Sequence, residues 1–148
     1  MPDQPLRVLV VDDNHDNADI IRHYLEATHD YSVTVAYDGD EALRSFRAVR
    51  PHIVLLDVMM PGPNGWEVCR AIKRDPAQAA ATRVIILTAR DDLADKRTAL
   101  QTGADDFLEK PLDLSKLLAA VRRNAAMLPE SSVSPESSVS PVTPATPA

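Results

Sequence analysis

Five polar positions stand where short, mostly apolar runs end. Asp12 and Asp13 follow Val8–Val11, Asp57 follows Ile53–Leu56, Thr88 follows Val84–Leu87, and Lys110 follows the brief segment Asp106–Glu109. A carboxylate directly after four apolar residues is costly to bury unless something compensates its charge. Three carboxylates brought together also repel one another, and a hard divalent cation resolves both problems. Mg2+ suits a site of few carboxylates that leaves positions for water and phosphate oxygens. Lys110 offers a compact ammonium and Thr88 a hydroxyl, both apt for phosphoryl oxygens. The set reads as Mg2+-dependent phosphoryl transfer to an aspartate, if the chain gathers these positions.

They converge if the runs are parallel strands. Val8–Val11, Ile53–Leu56 and Val84–Leu87 are wholly apolar and mostly β-branched, as in strands covered on both faces of a parallel sheet. Ser32–Ala36 alternates and Asp106–Glu109 is short with polar ends, which places both at the borders. Helix signals lie between the strands. Asp38 and Glu41 have capping-box spacing ahead of Ala42, Leu43 and Phe46. Ala18, Ile21, Leu25 and Thr28 form a stripe at helical spacing, as do Leu114, Leu117, Leu118, Val121 and Ala125. Arg122 and Arg123 fall in the last turn of that final helix, where the dipole favours cations. Asp91 and Asp92 are expected to cap the helix after the fourth strand, and Trp66 and Cys69 to pack from the third. The alternation, (βα) five times over, predicts an α/β fold with a doubly wound five-stranded parallel sheet. Edge strands placed outside give the order 2-1-3-4-5, the flavodoxin-like arrangement, with ligands bound beyond the strand C-termini.

Composition bounds the rest. The chain has 148 residues, which suits one domain. After Leu128 the text becomes PESSVS, repeated, then PVTPATPA; residues 129–148 have little to bury and are expected to be a disordered Pro/Ser/Thr-rich tail to a domain at 1–128. A formal charge of -6 argues against a surface that tracks nucleic acid, so no direct nucleic-acid contact is expected. Neither common phosphate-cradling glycine loop is present among the four glycines. One cysteine, Cys69, forms no internal bridge. The first residues lack a secretory pattern, and no apolar run is long enough to span a bilayer, so no membrane insertion and a cytoplasmic location are expected. His15 in a loop, His23 in a helix, and His29 and His52 in connections have no metal-cluster spacing, although His15 adjoins the acidic positions.

The strings Val10-Val11-Asp12-Asp13-Asn14, Asp57-Val58-Met59-Met60-Pro61-Gly62, Thr88-Ala89 and Gly103-Ala104-Asp105-Asp106-Phe107-Leu108-Glu109-Lys110-Pro111 together resemble the receiver domain of two-component response regulators, from Arg7 to about Leu128. The resemblance, closest to the chemotaxis-regulator-like, single-domain type, implies that Asp57 accepts a phosphoryl group from a histidine kinase or a histidine phosphotransfer protein. It implies Mg2+ held by Asp13, Asp57 and the backbone carbonyl of Met59, with Asp12 acting directly or through water. Thr88 and Lys110 would grip the phosphoryl group, and the Lys110-Pro111 bond would be cis. Thr88 and Phe107 would form a switch read by an unknown downstream protein on the face of the helix after strand four, strand five and the last helix, where Lys96, Arg97, Leu100 and Lys116 are candidates. Phe107 lacks the hydroxyl that a tyrosine would bring there. Met59 and Arg90 occupy positions that tune loss of the phosphoryl group, and an apolar Met59 cannot orient water, so slow self-dephosphorylation is expected. No enzymatic activity beyond self-catalysed phosphoryl acceptance and that slow loss is implied.

Two other readings compete. An aspartate-nucleophile phosphatase of the haloacid dehalogenase type uses similar groups, but it needs a D-x-D pair after the first strand, where this sequence has Asp12-Asp13. A pseudo-receiver that binds partners without phosphorylation would not need the full acceptor set.

Overall fold

The apolar runs fold as strands because each has helices to cover both of its faces. In β1 (Leu6–Val11), Leu9 and Val11 enter one core layer while Val8 and Val10 enter the other, following the two-residue period of a strand. β2 (Tyr31–Ala36), β3 (Ile53–Asp57), β4 (Arg83–Thr88) and β5 (Asp106–Glu109) complete a single sheet in the order β2-β1-β3-β4-β5. All four pairings are parallel. The expected fold class and strand order are thus observed. The computed structural model describes residues 5–58, 64–88, 97 and 101–129.

The described helices are α1 (His15–Glu26), α2 (Gly39–Val49), α3 (Gly65–Arg74) and α4 (Leu114–Ala125), with a short 3-10 turn at Ala79–Ala81. One core layer joins the sheet to α2 and α3 through Ala42, Phe46, Val68, Cys69 and Ile72, with Trp66 packed at its border. The opposite layer joins it to α1 and α4 through Ala18, Ile21, Leu25, Leu117, Ala120 and Val121.

Short polar side chains set where the helices start. Asn14 caps α1 by accepting from the Asn17 N–H at 3.0 Å. Asp38 caps α2 through the Glu41 N–H, and the Glu41 carboxylate reaches back to the Tyr37 N–H at 2.8 Å, one residue beyond the usual capping-box partner. Asn64 and Glu67 form a reciprocal box on α3, a start signal that the sequence reading passed over.

The structure corrects several local expectations. β1 and β2 begin at Leu6 and Tyr31, ahead of their apolar cores, because parallel pairing with register Leu6↔Tyr31 extends them. His15 opens α1 instead of sitting in a loop, since Asn14 supplies the cap just before it. Thr28 lies beyond the end of α1, where its hydroxyl donates to the Leu25 carbonyl at 2.8 Å. Of the helix expected between β4 and β5, Arg97 and Gln101 are described, both helical. Asp91, Asp92, Lys96, Leu100 and residues 130–148 lie outside the described residues.

Candidate functional site

Register carries the polar strand ends to one place. Val11 pairs with Leu56, so Asp12 continues β1 beside Asp57, which ends β3. Asp57 in turn pairs with Leu87, one residue before Thr88, and Thr88 pairs with Glu109, one residue before Lys110. The Lys110 N–H donates to the Thr88 carbonyl at 2.7 Å, which ties the end of β5 to the end of β4. The Lys110-Pro111 peptide is cis.

The side chains meet on that edge. One carboxylate oxygen from each of Asp12, Asp13 and Asp57 lies within 4.8 Å of the others. Lys110 Nζ donates to Asp57 Oδ2 at 3.0 Å. Asp12, Asp57 and Thr88 are buried at 1%, 3% and 1% exposure, whereas Asp13 is exposed. Asp12 Oδ1 accepts from the Asn14 N–H at 2.9 Å, but Asp12 Oδ2 is buried with no hydrogen-bond partner. Burial pushes the Asp12 carboxyl up to about 6; the Asp57 charge pushes the same way, against the Asn14 N–H and the Lys110 ammonium.

This donor set fits a hard divalent cation. Mg2+ takes oxygen ligands, typically one or two protein carboxylates, with water and phosphate oxygens in its other positions. A buried carboxylate oxygen without a donor is the kind of atom such a cation would satisfy. Among the described residues, Asp12, Asp13 and Asp57 are the group placed to ligate a metal.

Phe107 sits in β5 opposite Ile86, partly buried against the α2–α3 core layer. Lys116 is exposed on α4, and Arg97 is exposed. Met59 and Arg90 lie outside the described residues. His52 is buried and its Nδ1 accepts from the Arg7 N–H at 3.0 Å, so it ties β3 to β1 at the sheet edge away from the carboxylates.

The sequence reading missed two contributors. Gly65 opens α3 against the end of β3, where a Cβ would lie 2.5 Å from the Asp57 carbonyl oxygen and 2.6 Å from the Val58 Cα. Its position after a cap residue was the available signal. Tyr37 stacks on His15 with ring centroids 3.7 Å apart and planes 16° apart. Nothing in the spacing of two residues from different segments could announce that contact.

The comparisons with known proteins agree with this geometry. Residues 8–122 match the family described as the response regulator receiver domain. The chain belongs to that family: it is the receiver domain of a response regulator of two-component signalling. It is 42% identical over 118 residues to the response regulator MprA of Mycolicibacterium vanbaalenii, across 80% of this chain and 49% of that protein. The chain therefore spans about half the length of that relative. The fold is similar to that of the chemotaxis protein CheY4 of Vibrio cholerae, with a TM-score of 0.75 and 30% identity over 80% of this chain and 98% of the other. It is also similar to the receiver domain of the Francisella response regulator 1452, with a TM-score of 0.72 and 31% identity over 80% and 95% of the two chains. Among the described residues, no helix is long and apolar enough to cross a membrane.

Proposed function

We propose that Asp57 accepts a phosphoryl group, that Mg2+ supports the transfer, and that the phosphorylated domain changes its affinity for a downstream protein. The donor in this reading is a phosphohistidine on a histidine kinase or histidine phosphotransfer protein. The observation that carries it is the convergence of three carboxylates with Lys110 Nζ on the Asp57 carboxylate.

Asp12, Asp13, Asp57 and the carbonyl of Met59 would hold the cation, which supplies charge shielding at the phosphoryl oxygens. An Asp57 oxygen attacks phosphorus in line, the N–P bond to the donor imidazole breaks, and an acyl phosphate forms on Asp57. The attacking group is already a carboxylate, so no general base is required. Lys110 balances the charge on Asp57 before transfer and on the phosphoryl oxygens after it, while Thr88 donates its hydroxyl to one of those oxygens. The added charge of about -1.5 to -2 biases the placement of Thr88 and Phe107. Output is then read on the side of the sheet that carries β5 and α4, where Lys116 is exposed.

Incubation of the full chain with acetyl phosphate and Mg2+ is expected to add one phosphoryl group, seen by intact mass. Chelation of the metal or Asp57→Asn is expected to abolish it. Phosphate on the unaltered chain that survives alkali and hydroxylamine, or acyl phosphate on Asp57→Asn, would overturn the assignment. A chain that takes no phosphate would instead be a phosphorylation-independent binding module.

A further inference from the structure

The loop that carries Asp12 and Asp13 is tied to the end of β2 at two points. At its start, the Asp12 N–H donates to the Ala36 carbonyl at 3.1 Å. At its end, the His15 imidazole lies flat on the Tyr37 ring, 3.7 Å between centroids. Ala36 and Tyr37 are consecutive, so the two ties close a ring around the acidic pair. Tyr37 is itself held, because its N–H donates to Glu41 Oε1 at 2.8 Å and its ring packs on the α1–α4 core layer. Asn14 fixes the loop from inside, through its N–H on Asp12 Oδ1 and its cap on α1. Asp13 is exposed, so the place of its carboxylate depends on the shape of this loop.

We infer that Tyr37, stacked on His15, is a positioning residue for the divalent-cation site: the stack holds the Asp12–Asp13 loop in the shape that brings both carboxylates to Asp57. The inference rests on the cation reading of the site. A flat ring-on-ring contact resists displacement of the loop across the ring face. Residues that orient metal ligands without touching the metal commonly change affinity by an order of magnitude or more.

Titration calorimetry of Mg2+ into the full chain tests this without any phosphoryl donor. Tyr37→Ala is expected to weaken Mg2+ binding about tenfold, and Tyr37→Phe, which keeps the ring, to restore it. His15→Ala should match Tyr37→Ala, and the double variant should be no weaker than either. With acetyl phosphate, Tyr37→Ala should need more Mg2+ yet reach the unaltered rate at saturation. A lowered melting temperature with an unchanged Mg2+ dissociation constant would overturn the inference, as would equal losses in Tyr37→Phe and Tyr37→Ala. An unaltered chain that binds no Mg2+ would overturn it together with the cation reading. One that binds Mg2+ but takes no phosphate would overturn the phosphoacceptor reading alone.

Discussion

Asp12 Oδ2 is a buried carboxylate oxygen that no donor satisfies, and its cost appears in the titration of its own side chain. Burial pushes this carboxyl from 3.8 up to about 6, so the folded chain binds a proton that the unfolded chain releases. In metal-free protein, the contribution of Asp12 to stability therefore falls as pH rises through the window from 3.8 to about 6. Asp12→Asn should raise the metal-free unfolding free energy at neutral pH, on the order of 1–2 kcal/mol, and flatten the pH dependence in that window. The same variant should lose most of the stabilisation that Mg2+ gives the unaltered chain. Calorimetric melts with and without Mg2+ check both effects. The residues of this pocket were legible because Asp12–Asp13, Asp57 and Thr88 follow wholly apolar runs and Lys110 follows a short strand-like one, a pattern that sequence displays directly. The orphaned oxygen was not, because it depends on which of two oxygens meets the Asn14 N–H.

At the level of elements, α3 is set by two adjacent residues with different duties. Asn64 supplies the reciprocal cap with Glu67, while Gly65 lets the helix start touch the backbone that follows β3. Asn64→Ala should cost about 1 kcal/mol in denaturant unfolding and leave Mg2+ affinity unaltered. Gly65→Ala forces a Cβ onto the Asp57 carbonyl, so it should cost more and also slow phosphate uptake from acetyl phosphate. A Gly65→Ala variant with the unaltered uptake rate would separate this contact from the site. Strand order was legible from the contrast between wholly apolar and alternating runs, since that contrast reports burial on both faces. Element ends were less so: Thr28 continued an apolar-like spacing past the end of α1, because a threonine can serve a turn as well as a stripe.

Across the whole molecule, the edge opposite the carboxylates has its own polar network. Buried Asn124 accepts from Arg83 Nε at 3.0 Å and donates to Asp106 Oδ2 at 2.9 Å, and Arg123 reaches the same oxygen at 2.6 Å. Burial would raise the Asp106 carboxyl, but the bonds from Arg123, Asn124 and the Phe107 N–H outweigh it and hold it below 3.8. Its contribution to stability is present above that value and is lost as pH falls through the lower folded one. Asn124→Ala should cost about 2–3 kcal/mol in denaturant unfolding, with Mg2+ affinity and phosphate uptake unaltered. Coupled losses would show that the two edges are not independent. The sequence concealed this network, because an asparagine within an apolar helix stripe reads as a surface residue. Helix α4 runs back from the pocket toward this edge, about 18 Å over its 12 residues. Whatever is joined after Leu128 is therefore anchored on the far side from Asp57. A reporter fused directly after Leu128 is therefore expected to leave phosphate uptake from acetyl phosphate unaltered.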